Sequence, residues 1–151
     1  MDPRLIRALV AWLKARDARL GNRVRPAIEQ PGSVGPYLVY MVVSTNRVGN
    51  TEYRTGETAT RVQLDVWSQD HAVGLSIAAT IKGDGWGADS SARGLDYHAA
   101  SWPDPADAAN PVVVQFAELV SEIEGDESPI LGTETAWYRF SADYLITYEE
   151  A

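Results

Sequence analysis

The residues that could carry chemistry in this 151-residue chain are few and scattered. There are two histidines, His71 and His98, and no cysteine, which excludes thiolate nucleophiles and cysteine-ligated zinc. A metal site built on both histidines would need them to meet, although one begins a predicted helix and the other lies in a predicted loop. We therefore interpret both as ordinary polar positions.

Acidic residues in the second half of the chain could in principle supply oxygen ligands to a metal ion. The candidates are Asp104, Asp107, Asp126, Glu127 and Asp143. Their spacing does not match a calcium-binding loop, which needs a central glycine and a closing glutamate. No pair stands out as the two carboxylates of a hydrolase, so we interpret these residues as solvated loop acids.

Glycine-rich and serine motifs also fail to indicate a catalytic site. Gly83-Asp-Gly-Trp-Gly87 has the composition of a phosphate-binding loop, but it follows a predicted helix and precedes no Lys-Ser or Lys-Thr pair. There is no Gly-x-Ser-x-Gly motif of the kind that presents a nucleophilic serine. We predict that the protein is not an enzyme and has no catalytic, cofactor or metal site.

Charge is divided unevenly along the chain. Residues 1–25 carry a net charge of +5 and residues 26–151 carry −13, which together give the total of −8. An acidic protein with pI near 4.7 would repel a phosphate backbone, so free-standing nucleic-acid binding is disfavoured. Two interpretations remain open: the basic helix lies on the acidic body of its own subunit, or it meets an acidic face of another subunit.

Hydrophobic periodicity predicts one α+β domain spanning residues 1–151, with the element order α-β-β-α-β-β. We expect a mostly antiparallel four-stranded sheet with two main helices packed on it and a long β-hairpin arm. We also expect a loop-rich excursion at about 84–110, with a short strand at Gly94 to Ala99. The predicted helices run from Asp2 to Gly21 and from about Ser68 to Lys82, ended by Gly83. The predicted strands are Pro36–Ser44, a second ending at Trp67, Pro111–Ser121 and Ala136–Tyr148.

The second strand has two chemically different faces. Val62, Leu64 and Val66 share one face, while the other carries Arg61, Gln63, Asp65 and Trp67. The first face is typical of a core. The second belongs either to a contact between subunits or to packing under the second helix.

Several segments together resemble a known family. Arg61-Val-Gln-Leu-Asp-Val-Trp-Ser68, followed at once by an alanine-rich helix ending in Gly83, resembles the tail-completion proteins of long-tailed phages. These are also called tail terminators or tail-to-head joining proteins. The opening helix, Arg23–Pro26, the Pro-Tyr strand at Pro36–Ser44 and the closing strand at Trp137–Tyr148 follow in the family's order. The resemblance covers nearly the whole chain through short motifs; the excursion at 84–110 is longer than the family pattern.

The resemblance implies a structural protein that caps the growing tail tube, stops its polymerisation and docks to the filled head. The working form in such families is a ring, commonly of six subunits, around the channel through which DNA leaves. The implied partners are further copies of this chain, the tail tube protein and a head–tail connector protein. DNA would pass without specific binding, with no cofactor and no membrane. The implied location is the head–tail junction of the virion, after assembly in the host cytoplasm.

We expect Arg61, Asp65 and Trp67 to contribute to the subunit interface, although Trp67 could equally be a core or helix-covering residue. Gly49 and Asn50 in the predicted hairpin turn, and Trp86 and Trp102 in the excursion, are expected to contact the tail tube or the connector. Two other functions remain alternatives to tail termination. A head-completion or connector protein would form a similar ring on the head side, and a small-molecule-binding α+β domain would need a concave apolar pocket.

Overall fold

The computed structural model describes residues 2–26, 35–49, 54–84, 94–96, 98–129 and 136–149. Within these ranges the chain forms two helices and six strands. The helices are α1 (Pro3–Arg16) and α2 (His71–Lys82). The strands are β1 (Val24–Pro26), β2 (Tyr37–Gly49), β3 (Arg54–Ser68), β4 (His98–Asp104), β5 (Asp107–Pro129) and β6 (Ala136–Glu149).

All six strands join in one mixed sheet in the order β1-β2-β3-β6-β5-β4. β1 runs parallel to β2, and the other neighbours are antiparallel. Helix α1 contacts both β1 and β4, which are the two outermost strands. Because one helix reaches both edges, the sheet must curl around it.

The prediction of a four-stranded antiparallel sheet is therefore wrong. It missed β1, which has only three residues and is held by its parallel pairing with Leu38–Tyr40. It placed a short strand at Gly94 to Ala99 outside the sheet, whereas β4 runs from His98 to Asp104; its sequence His-Ala-Ala-Ser-Trp-Pro-Asp lacks β-branched residues and is extended because it pairs with β5. The predicted excursion at 84–110 thus contains a strand.

The hairpin of β2 and β3 is mostly part of the sheet and not a projecting arm. The two strands pair as far as Gly49 and Arg54. On its other side β3 is paired with β6 as far as Glu57, opposite Glu149. Among the described residues of β3, only the first three, 54–56, therefore extend beyond β6.

Both helices pack on the same face of the sheet and form one core with it. In α1, Leu5, Leu9 and Leu13 recur every four residues and are fully buried. In α2, Gly74 approaches β6 so closely that an added Cβ would lie 2.5 Å from the Phe140 ring. The sheet side chains in this core include Val62, Leu64, Val66, Phe140, Tyr144, Ile146 and Tyr148. Neither helix of the described residues is long and apolar enough to cross a membrane.

The helix ends follow local side-chain chemistry. Asp2 caps α1 by accepting from the Arg4 backbone N–H at 2.9 Å, as the Asp-Pro start predicts. The predicted end at Gly21 is wrong, because α1 ends at Arg16. Asp17 then accepts the Arg19 backbone N–H at 3.0 Å, which diverts the chain into a turn. Helix α2 ends as predicted at Gly83, which has φ +79°.

The arginines of residues 1–25 make contacts within their own subunit. Arg7 pairs with Asp104, Arg19 pairs with Asp17, and Arg4 pairs with Asp2. The Nε of Arg16 donates to the Thr80 carbonyl at 2.8 Å, which ties α1 to α2. The contacts of Arg7 and Arg16 reach beyond residues 1–25, and these two support the interpretation in which the basic helix lies on its own acidic body.

Asp104 is not the solvated loop acid that the sequence suggested. It is 1% exposed at the end of β4 and accepts from Nε and Nη2 of Arg7 at 2.9 and 2.7 Å. The Ala106 backbone N–H donates to it at 3.0 Å. The Arg7 guanidinium, helped by that backbone donor, lowers the pKa of Asp104 to about 2. One buried carboxylate therefore joins the edge strand to α1.

This ion pair predicts a specific loss of stability in acid. The folded pKa of Asp104 lies below the unfolded value of about 4, so its contribution is complete above pH about 4. It is lost as the pH falls towards 2. At pH 7, Asp104→Asn should melt below the wild type, and the two melting temperatures should converge between pH about 4 and about 2.

Thermal melts followed by circular dichroism across this pH range test the prediction. Asp107→Asn is the matched control, because Asp107 is an exposed carboxylate three residues away. The melting temperature of Asp107→Asn should stay close to that of the wild type at every pH. If the melting temperatures of Asp104→Asn and the wild type differed by the same amount from pH 7 to 2, the assigned role of the Arg7–Asp104 ion pair would be contradicted.

Candidate subunit-contact surface

The sheet face opposite the helices carries the residues that the sequence assigned to a subunit contact. The core side chains Val62, Leu64 and Val66 point to α1 and α2, so their neighbours Arg61, Gln63, Asp65 and Trp67 point the other way. The β6 residues opposite them are Leu145, Asp143, Ser141 and Arg139. We call these eight residues the helix-free face.

Hydrogen bonds across strands order the middle of the helix-free face. Nη2 of Arg61 donates to Oδ2 of Asp143 at 2.6 Å, and the Ser121 hydroxyl of β5 donates to the same oxygen at 3.4 Å. Ser141 donates to Oδ1 of Asp65 at 2.6 Å, and Nε2 of Gln63 donates to the same carboxylate at 3.1 Å.

This network orients side chains more than it stabilises the fold. The side chain of Arg61 is 39% exposed and that of Asp143 is 18% exposed. Ion pairs with such access to solvent contribute at most about 1 kcal/mol. The network therefore presents a fixed pattern of donors and acceptors to whatever contacts this face.

Aromatic rings occupy one end of the helix-free face. The rings of Tyr37 and Trp67 stack at 6.2 Å between centroids, and Trp137 lies 5.3 Å from Tyr37. The Arg139 guanidinium lies 5.8 Å from the Trp67 ring. Tyr37 is 2% exposed, and this burial raises the pKa of its hydroxyl to about 12. Trp67 itself is half-buried, so part of its ring remains available for contact.

The structure settles one of the two alternatives for Trp67. Helix α2 packs against Phe140 and Ser68, on the opposite face of the sheet. The alternative in which Trp67 lies under the second helix is therefore wrong. Arg61, Asp65 and Trp67 do share one face, and their role in a subunit interface stays a prediction.

The four predicted partner-contact residues do not form one site in the described part of the chain. Gly49 is the last residue of β2 and pairs with Arg54. Asn50 and Trp86 lie outside the described residues. Trp102 is 2% exposed, and its ring stacks on Trp12 at 5.8 Å. Because that ring lies in the core, we do not include Trp102 in the contact surface.

Exposed apolar residues on two strands were missed by the sequence analysis. Met41 and Val43 of β2 are 43% and 48% exposed, and Val120 and Ile123 of β5 are 48% and 59% exposed. The dense β-branched and aromatic run Pro36–Ser44 predicts a central or well-covered strand, whereas β1 pairs only with its first part. Val43 and Val120 lie at irregularities in strand pairing, which the period-two pattern does not reveal.

An open groove lies beside α1 on the other side of the molecule. It has a volume of about 590 Å³ and is lined by Ile6, Val10, Tyr40 and Pro105, among others. Two charged residues also line it: Arg7, whose guanidinium is held by Asp104, and Lys14. The described lining is otherwise mainly apolar, whereas sites for small ligands usually combine apolar walls with several converging polar groups.

Comparison with known proteins adds no relative. No protein-family model matches the chain, and no curated protein matches it. Function is therefore argued from the sequence resemblance and from the geometry of these surfaces.

Replacing Trp67 by alanine should separate assembly from folding. The substitution removes one aromatic stack and one cation–π contact from a half-buried site, so we expect a loss of roughly 1–2 kcal/mol in unfolding free energy. Self-association measured by analytical ultracentrifugation should be lost. Trp67→Phe, which keeps a ring against Tyr37, should retain most of the self-association. Wild-type association by Trp67→Ala would remove Trp67 from the interface.

Proposed function

We propose that this protein is a structural subunit of a ring that caps the tail tube of a long-tailed phage. In this role it stops tail polymerisation and forms the tail-side joint to the head, leaving a channel for DNA. The observation that carries the proposal is the one-sided sheet: α1 and α2 both pack on one face, and the opposite face holds an ordered polar network beside the half-buried Trp67. The sequence resemblance supplies the phage context.

The distribution of exposed side chains favours assembly over an isolated monomer. Large apolar residues with 37% to 59% exposure lie on β2, α2 and β5. Met41 and Val43 lie close together on β2, and Val120 and Ile123 lie close together on β5; exposed apolar patches bordered by polar groups are typical of protein–protein contacts. The fixed donors and acceptors of the helix-free face would give such a contact specificity.

The charge distribution is compatible with passage of DNA through a ring. Outside residues 1–25 the chain has a net charge of −13, and Arg4, Arg7 and Arg19 of the basic segment are paired with acids of the same subunit. An acidic channel wall repels phosphates, so the duplex would slide without binding. The tail tube protein and the head–tail connector are the partners proposed for the two ends of the ring.

The groove beside α1 is the feature that a small-molecule-binding function would use. We rank that function lower because the described lining is mainly apolar and Arg7, one of its two charged residues, is paired with Asp104. A head-completion or connector role differs from tail termination in the side of the joint on which the ring docks. The experiment below distinguishes these two roles.

Electron microscopy of phage particles produced without this protein tests the proposal. We expect tails of uncontrolled length that are not joined to filled heads, and rescue when the wild-type chain is supplied in trans. Tails of normal length that accumulate unjoined would instead support the head-side alternative. Normal-length tails joined to heads would contradict both roles.

A further inference from the structure

We propose that neighbouring copies of the chain join edge to edge, with residues 118–129 of β5 in one copy pairing with residues 41–49 of β2 in the next. We call these segments the β5 edge and the β2 edge. The inference rests on the proposed function in one respect, because it takes the partner to be a second copy of this chain.

Each segment is a strand edge with only one partner among the described strands. β4 pairs with β5 only as far as His98 opposite Ala117, while β5 continues to Pro129 beside β6. β1 pairs with Leu38–Tyr40, while β2 continues to Gly49 beside β3. A strand edge exposes backbone donors and acceptors that can pair with another chain.

One backbone group of the β5 edge already has a partner. The Leu119 backbone N–H donates to Oδ1 of Asp96 at 3.0 Å. This contact shows that the Leu119 N–H points away from β6. A pairing strand from another copy would therefore begin beyond Leu119.

The register places the two edges at opposite ends of the sheet as well as on opposite sides. Val42, Val62, Tyr144 and Leu119 lie in one row across β2, β3, β6 and β5. From this row the β2 edge runs towards Glu57 and Glu149, whereas the β5 edge runs towards Trp67 and Arg139. Two different patches on opposite sides of a subunit make a head-to-tail contact. Such contacts close into a ring when the rotations between successive subunits add up to one full turn.

Exposed apolar residues coincide with these edges. Of the six large apolar residues that are exposed in the described part of the chain, Met41 and Val43 lie on the β2 edge, and Val120 and Ile123 lie on the β5 edge. Pairing the edges would bring these side chains next to those of a neighbouring strand and so remove part of their surface from water. Exposed apolar residues bordered by polar groups are typical of protein–protein contacts.

Charge selects the β2 edge as the partner of the β5 edge. Residues 118–129 contain five acidic and no basic residues, whereas residues 41–49 contain Arg47 and no acid. Pairing two β5 edges would place acids opposite acids, which is unfavourable. Pairing a β5 edge with a β2 edge avoids this repulsion, because the β2 edge contains no acid.

Cross-linking between single-cysteine variants tests the contact, and the absence of native cysteine leaves no background. Val43→Cys and Val120→Cys would be mixed in equal amounts and treated with a short bis-maleimide linker, which tolerates a one-residue difference in register. We expect a cross-linked dimer from this mixture. Val43→Cys mixed with Val113→Cys is the matched control, because Val113 is 37% exposed on the same strand but lies between β4 and β6.

Each other outcome has a definite meaning. Dimers from Val43→Cys alone or Val120→Cys alone, in excess of the mixed product, would overturn the head-to-tail pairing. So would equal cross-linking in the control mixture. Rings seen by electron microscopy without a 43–120 cross-link would overturn the edge contact and leave the proposed function standing. A 43–120 cross-link with normal tails in particles lacking the protein would leave the contact standing and reject the phage role.

Discussion

Replacing Trp102 by alanine should lower the free energy of unfolding by about 3–5 kcal/mol, the range typical of a buried tryptophan. The side chain is 2% exposed, and its ring stacks on Trp12 with 26° between planes. The residue also pairs with Val112 of β5. Loss of the indole would therefore open a cavity where β4, β5 and α1 meet. Chemical denaturation with urea would measure the effect.

Trp102→Phe serves as the control for this substitution. It keeps an aromatic ring against Trp12, so it should retain a substantial part of the stability that alanine loses. A Trp102→Ala protein that unfolds at the wild-type urea midpoint but fails to join tails would contradict the core assignment. It would restore Trp102 as a partner-contact residue.

Replacing Gly94 by alanine should cost at least about 3 kcal/mol, at the upper end of the range for overpacked sites. An added Cβ would lie 2.2 Å from the Ile81 carbonyl oxygen and 2.4 Å from both the carbonyl carbon and oxygen of Lys82. These are backbone atoms at the end of α2. The carbonyl oxygens of Ile81 and Lys82 also accept hydrogen bonds from the backbone N–H groups of Leu95 and Asp96, at 2.8 and 3.1 Å. Relief of the clash would therefore break the bonds that close the helix.

Gly56→Ala is the control for the Gly94 substitution. Gly56 has φ +80° and no atom within 4 Å of an added Cβ, so its replacement reports only the cost of the left-handed backbone. That cost is about 1–2 kcal/mol. Equal urea midpoints for the two variants would show that the close approach of Gly94 to α2 adds nothing to the loss of stability.

Local signals in the sequence were sufficient for the start of α1, for the end of α2 and for the faces of the central strands. Asp2 and Gly83 act as caps through side-chain and backbone geometry that depends only on their neighbours in the chain. The alternation of β3 and β6 likewise separated Val62 from Arg61 and Tyr144 from Asp143. The caps and the strand faces could be predicted because each depends on residues within one segment of the chain.

Long-range pairing accounts for what the sequence analysis missed. β1 is too short to show a period, and β4 is extended only because β5 lies beside it. The burial of Asp104 depends on Arg7, which lies 97 residues away in the chain. The two strand edges result from the unequal lengths of neighbouring strands, which appear only when all registers are known.

The dependence of burial on long-range pairing also explains why only some of the predicted contact residues lie on an available surface. Arg61, Asp65 and Trp67 were chosen by strand alternation, and the structure places them together on the helix-free face. Trp102 was chosen for a loop that is in fact an edge strand packed on α1. Residue type alone could not distinguish a tryptophan that anchors a strand from one available to a partner.

The mass of the purified assembly tests the central claim, that this sheet forms a closed ring of identical subunits, most directly. Native mass spectrometry over a range of concentrations should show one oligomer of fixed size, with no larger species. Val120→Glu, which adds a charge to the β5 edge, should give monomers with an unchanged fold. An open-ended series of oligomers, or a wild-type protein that stays monomeric at every concentration, would contradict the account.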